Sequence, residues 1–180
     1  MDADELPTVE SLMFLKMFDG WTEPVKFGLR WTVFGFFWLT ADYPPCSTDC
    51  HLKTNREEKL LTLYAACTVG LLSRVYGNNA MLLRRNVWSH SLLKQRLANY
   101  TRLHDKPREW TMGDSPHYAG FHCSWCYSPE GIRTKMSSAQ RHDKPRWGDY
   151  PEKMELGYIE SLIRNGGWFD GKHPFIKVDR

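Results

Sequence analysis

The sequence predicts an α/β domain, and three observations carry that prediction. Phe27, Leu29, Trp31 and Val33 alternate with Gly28, Arg30 and Thr32, the period of a strand with one buried face. Ala119–Trp125 forms a second strand-like run. Apolar residues recur at helical spacing in three places: Leu60, Tyr64, Cys67, Leu71 and Val75; Ile132 and Met136; and Leu156, Ile159, Leu162 and Ile163. At 180 residues the chain lies in the single-domain range and can bury one core.

The chain opens on acids. Asp2 and Asp4 flank Ala3, so an extended backbone turns both carboxylates to one side. Such a pair suits a hard divalent cation that shares its shell with phosphates; a solvated acidic terminus is the alternative. Thr8 is a good N-cap for a short helix over Val9–Phe18, expected to be largely buried because it has almost no polar face. Gly20 ends it, and Trp21-Thr22-Glu23-Pro24 is a turn in which Glu23 is expected to be exposed. The strand at 27–33 is expected to continue through apolar Phe34–Trp38 into a central sheet. Ala41–Glu58, with Pro44-Pro45 and a charged tail, is a loop.

The helical pattern from Leu60 runs to Gly77-Asn78-Asn79, with Thr68 as a second cap that would start the helix later. Ala80–Leu83 is a short strand followed by Arg84-Arg85. Trp88–Asn99 fits either a helix or irregular structure, and His104–Arg108 is a polar loop. Ser128-Pro129-Glu130 opens a helix that runs to about Ala139. Gln140–Tyr150 is a charged, aromatic loop. Pro151 starts the last helix, which Gly166-Gly167 ends. Trp168-Phe169-Asp170-Gly171 is a tight turn, and residues 172–180 form an irregular end.

Composition narrows the function. Eight Trp, eight Tyr and nine Phe are a surplus that fits core packing and also sugar or base stacking. A net charge of +3 with scattered Arg and Lys argues against nucleic acid as a partner. No run reaches the roughly 18 apolar residues of a membrane span. The acidic start is unlike a signal peptide. Five Cys leave at least one without an intrachain partner. Asn99-Tyr100-Thr101 is a glycosylation sequon, relevant in a secretory lumen.

Cys123 and Cys126, with His117 and His122 nearby, could hold zinc together with Cys46 and Cys50. A structural disulfide is the expectation for an oxidising lumen. A thioredoxin-like role does not fit, because the proline-capped helix begins after the CxxC rather than at it. His122, in the middle of a strand, is either a core histidine or a metal or diphosphate ligand. Glu130 and Asp149 are candidate general bases that also stand at helix-capping positions. Arg141, Lys144 and Arg146 could neutralise a diphosphate.

Several blocks then stand in a recognisable order: Asp-Ala-Asp-Glu-Leu-Pro (2–7), Asp-Gly-Trp-Thr-Glu-Pro (19–24), Gly-Phe-Phe-Trp (35–38), Tyr-Ala-Gly-Phe-His-Cys-Ser-Trp-Cys (118–126), Pro-Glu-Gly-Ile (129–132), Ser-Ala-Gln (138–140), Pro-Arg-Trp-Gly-Asp-Tyr (145–150) and Leu-Ile-Arg-Asn-Gly-Gly-Trp-Phe-Asp-Gly (162–171). Together they resemble the bisecting β-1,4-mannosyl-glycoprotein 4-β-N-acetylglucosaminyltransferase family. The resemblance covers most of the chain and ends near Gly171.

It implies an inverting transferase that moves N-acetylglucosamine from UDP-GlcNAc to the 4-hydroxyl of the β-mannose in the N-glycan core of glycoproteins. It implies Mn²⁺ as cofactor, the lumenal side of the Golgi membrane as location, and a GT-A-like, mostly parallel sheet. On this resemblance Asp2 and Asp4 are the metal motif, Asp149 and then Glu130 the candidate base, and His122 a third metal or phosphate contact. Trp125, Trp147 and Trp168 are sugar or base platforms, and Asn99 is a glycosylation site. Residues 41–59 depart from the family and suggest an insertion. The membrane anchor and the nucleotide-binding βα units of the family have no counterpart here, so residues 1–180 are expected to be a partial catalytic domain. The competing expectation is a non-catalytic lumenal protein, glycan-binding or zinc-stabilised.

Overall fold

The structure is a computed structural model that describes residues 4–39, 60–85, 90–100, 107–138, 144–172 and 174–178. Residues 41–59, with Cys46 and Cys50, lie outside the described residues, as do Asp2, Thr101 and Arg141. The strands are β1 (Glu5–Pro7), β2 (Val25–Val33), β3 (Trp38–Leu39), β4 (Leu60–Ala66), β5 (Trp110–Met112), β6 (Gly120–Ser124) and β7 (Ile176–Lys177). The helices are α1 (Val9–Met17), α2 (Val69–Arg74), α3 (Ala80–Leu83), α4 (Ser91–Ala98), α5 (Pro129–Ser137) and α6 (Leu156–Asn165), with 3-10 turns at Trp147–Asp149 and Pro151–Lys153.

The α/β expectation holds. The strands form a seven-stranded mixed sheet in the order β1-β6-β2-β3-β7, with β4 and β5 also pairing to β2. The mostly parallel sheet is not what forms. β2 runs parallel to β5, but β2 with β3, β2 with β4, and β3 with β7 are antiparallel. The short connection from β2 to β3, residues 34–37, allows an antiparallel return.

The chain divides into two compact units, residues 1–30 with 60–121, and residues 31–59 with 122–180. In the first, β2 pairs with β4 from Lys26↔Tyr64 to Arg30↔Leu60 and with β5 from Val25↔Trp110 to Phe27↔Met112. Val25, Phe27, Leu29, Met112 and Ala119 form one core. A second gathers Tyr64, Leu71, Val75, Tyr76, Leu83, Leu93, Leu97 and Tyr100 from β4 and α2–α4. In the second unit, Val33, Phe34, Trp38, Ile132, Met136, Ile159, Leu162, Phe169 and Phe175 pack together.

Several expectations are corrected. Residues 60–66 form a strand, because pairing with β2 overrides the helical preference of leucine. The helix starts late, at the second cap: Thr68 Oγ1 accepts from the Leu71 amide at 3.1 Å. Ala80–Leu83 is helical, since the Asn79 side chain caps it by accepting from the Met81 amide. The strand at 27–33 does not continue through Trp38. Phe34 takes a left-handed φ of 58°, and the chain returns as β3, with Thr32 opposite Leu39. The last helix starts at Leu156, because Pro151–Lys153 is a 3-10 turn. Residues 176–177 are not irregular; they pair with β3.

Two burial expectations also change. Helix α1 forms, but Ser11 is its one buried residue, and Leu12, Met13, Phe14 and Met17 are exposed. Glu23 is 1% exposed. It accepts from the Thr68 amide at 2.7 Å, the Thr68 hydroxyl at 3.1 Å and the Tyr100 hydroxyl at 3.3 Å, which compensates its desolvation.

Cys67 is half-buried beside this carboxylate. Burial, and then the charge of Glu23, push its thiol up to about 11. A thiol raised in the folded state supports folding below the free-thiol range and loses that support as pH climbs toward 11. The thiolate is the nucleophile, so alkylation of Cys67 by iodoacetamide at pH 8 is expected to run on the order of 100-fold slower than at an exposed cysteine. Peptide mass spectrometry at that residue measures it; a rate equal to a free thiol would refute the buried placement.

Candidate functional site

In the first unit the acids stand at the start of β1. Asp4 is half-buried, and Glu5, the first residue of the strand, is 4% exposed. One oxygen of Asp4 and one of Glu5 lie within 4.8 Å of each other. Glu5 is bound by Arg84, whose Nη1 and Nη2 donate to Oε2 at 2.6 Å and Oε1 at 2.7 Å. Behind the acids, the Thr8 amide donates to the Ala119 carbonyl at 2.9 Å, and the Thr8 hydroxyl caps α1. Gly120 is required here: a Cβ would collide with the Leu6 carbonyl and stand 2.8 Å from Pro7 Cα. Carboxylate oxygens of this kind are hard donors, the chemistry that Mn²⁺ accepts.

A second polar group in this unit lies at Glu109. Lys26 Nζ reaches its Oε1 at 3.0 Å, and the Tyr64 hydroxyl donates to Oε2 at 2.6 Å. Burial and this carboxylate push the Tyr64 phenol well above its ordinary range.

In the second unit, His122 is half-buried in the middle of β6, with its ring 6.1 Å from that of Trp31. Trp125 follows β6 with a left-handed φ of 59°, between Cys123 and Cys126. Those cysteines form a disulfide, so neither offers a thiolate to zinc.

The unit brings the three tryptophans together. Trp125, Trp147 and Trp168 lie 5.0, 5.9 and 5.1 Å from the fully buried Phe169 ring. Lys135 Nζ stands 4.9 Å over the Trp125 ring, a cation–π contact. Gly148 allows the Trp147 turn to approach α5, since a Cβ there would strike the Met136 carbonyl.

The two candidate bases differ in surroundings. Glu130 follows Pro129 in the first turn of α5, behind the Ser128 cap. Backbone hydrogen bonding at its own N–H, then the Ser128 hydroxyl, hold its carboxyl below the usual range, with Arg133 contributing less. A lowered carboxylate is a poorer proton acceptor. Asp149 is exposed at the end of its 3-10 turn, with Arg146 Nη2 at 3.4 Å from Oδ1. Asn99 is exposed at the C-terminal end of α4.

Sequence reasoning missed Arg84 and Glu5 as a pair, and the signal was slight. A buried glutamate demands a cation, and Arg84-Arg85 directly after an apolar run supplies one, but 79 residues separate the partners. It also missed Phe169 as the hub of the aromatic cluster, because Trp125 and Trp147 stand in other blocks than Trp168-Phe169 and no local spacing joins them.

No family model matches the sequence, and no solved structure matches it. Curated proteins do. The β-1,4-mannosyl-glycoprotein 4-β-N-acetylglucosaminyltransferases of Rattus norvegicus, Mus musculus and Homo sapiens are each 40% identical to it over 174 residues, 94% of this chain. The chain is similar to this transferase along nearly all of its own length. It spans 28% of the length of these curated relatives. The described acids, tryptophans and candidate bases all stand in blocks that carried the resemblance. Among the described residues, no helix is long and apolar enough to cross a membrane.

Proposed function

We propose that this chain carries metal-binding and acceptor-side residues of an inverting N-acetylglucosaminyltransferase. Its donor is UDP-GlcNAc, and its acceptor is the 4-hydroxyl of the β-mannose of the N-glycan core of glycoproteins, at the lumenal side of the Golgi membrane. The similarity to the bisecting transferases over 94% of the chain carries this reading.

Asp2 and Asp4 would hold Mn²⁺, with His122 as a third contact. The carboxylates of this donor set are hard oxygens, which suit Mn²⁺. Bound there, the cation would supply positive charge to the diphosphate leaving group. Asp149 would accept the proton of the attacking hydroxyl, with Glu130 as the second candidate. Trp125, Trp147 and Trp168 would offer apolar faces to sugar or base. A GT-A-like arrangement is part of the proposal; the feature that favours it is the parallel β2–β5 ladder within an α/β fold.

A chimera tests the reading. This chain replaces the matched span of the rat relative, and transfer from UDP-GlcNAc to a biantennary N-glycan is measured with Mn²⁺. The chimera is expected to be active, and Asp4→Asn to lower turnover on the order of 100-fold, the scale of losing one electrostatic contact to developing charge. A folded, secreted chimera with no transfer would overturn the proposal. Full activity of Asp4→Asn would remove Asp4 from the site.

A further inference from the structure

We propose that Arg84 is a positioning residue for the acidic segment, acting through Glu5. The proposal rests on the reading of Asp4 as a metal contact. Its starting point is the shortness of β1. Three residues of ladder hold little by themselves, yet the strand begins with a glutamate that is 4% exposed. A carboxylate that deep in the fold stays ionised only with a matched, well-directed partner.

Arg84 supplies it. Its guanidinium meets both Glu5 oxygens, at 2.6 and 2.7 Å, the fork-on-fork geometry that fixes angle as well as distance. Arg84 is the C-cap of α3, whose Leu83 is buried in the α2–α4 core. The clamp thus ties the head of β1 to a packed helical core rather than to a solvent-exposed arm.

Asp4 is the next residue, with an oxygen within 4.8 Å of a Glu5 oxygen. Two carboxylates that close repel unless one is neutralised. Arg84 matches the charge of Glu5 and engages both its oxygens. Glu5 is thus the anchor of the segment, and Asp4 beside it is the metal contact of the proposed reading. Lysine at position 84 would keep the charge but lose the fork.

Hydrogen exchange of the metal-free 180-residue chain decides the proposal, and titration with Mn²⁺ alone, followed by the paramagnetic resonance of the free ion, reads its consequence. In Arg84→Met, exchange in peptides covering residues 4–8 is expected to rise at least about tenfold, while peptides of α6 stay unchanged. Mn²⁺ affinity is expected to fall about tenfold in Arg84→Met and less in Arg84→Lys. Should Arg84→Met fail to fold, Arg84→Lys carries the same exchange comparison. Unchanged exchange at residues 4–8, or an equal rise in all peptides, would overturn the proposal. A wild-type chain that binds no Mn²⁺ but shows the expected exchange would count against the metal reading of Asp4 and leave Arg84 as the anchor of the segment.

Discussion

Replacing Phe169 with alanine is expected to destabilise the second unit by about 3–5 kcal/mol, the range for a fully buried aromatic. Phe169 is 0% exposed and contains no polar atom that water could recover. Its ring meets Phe34 at 5.9 Å, Trp125 at 5.0 Å, Trp147 at 5.9 Å and Trp168 at 5.1 Å. Four neighbours, themselves large and partly fixed by other contacts, cannot collapse into the space that is left. Trp125, for example, also carries the Lys135 ammonium 4.9 Å over its ring, and Phe34 also meets Phe175 at 6.2 Å. The cost is therefore placed toward the cavity-forming end of the range. Urea unfolding followed by tryptophan emission measures it. A loss under about 1 kcal/mol would mean that the cluster repacks around alanine, and that its rings are not fixed in the way described.

The second large effect is expected at Glu23→Ala, with a loss of about 3 kcal/mol in the first unit. The substitution removes little apolar contact. It strands donors instead: the Thr68 amide, the Thr68 hydroxyl and the Tyr100 hydroxyl all point at the missing carboxylate. Tyr100 is itself buried, and the Thr68 amide stands at the head of α2, where no intrahelical acceptor exists. Glu23→Gln keeps one oxygen and is expected to cost about 1 kcal/mol. Thermal unfolding of the two variants separates an acceptor role from simple packing. Equal losses would show that the negative charge, and not the hydrogen bonds, matters.

The sequence made the well-punctuated elements readable. Ser128 and Pro129 mark the start of α5, and Gly166 in its left-handed conformation closes α6, each within a residue or two of the predicted end. Alternation gave β2, although Phe34 stops it where composition alone would extend it. The errors share a cause. Residues 60–66 satisfy both a helical and a strand period, and only the pairing with β2 decides between them. Ala80–Leu83 is apolar without a period, so its capping asparagine decides. The strand at 176–177 is two residues long, too short for any pattern, and exists through its partner β3.

Burial was the hardest property to infer. Glu23 looked like a turn residue on the surface, yet its partners arrive from Thr68 and Tyr100, far along the chain. Helix α1 looked like core, but its apolar side chains stand mostly outside it. In the candidate site, two acids around a small residue nominate Asp4. The clamp on Glu5 was not, because an ion pair is a property of the folded path and leaves no local spacing to read.

The aromatic cluster also gives the second unit its own optical signature. The Trp125 and Trp168 rings are 6.4 Å apart with their planes at 75°, and Phe169 lies against both. Indoles this close and this strongly tilted couple their electronic transitions, and the sign and size of the coupling depend on the mutual angle. Near-ultraviolet circular dichroism should therefore carry a band from this cluster. That band should vanish when side-chain packing loosens, even while the far-ultraviolet spectrum of the helices persists.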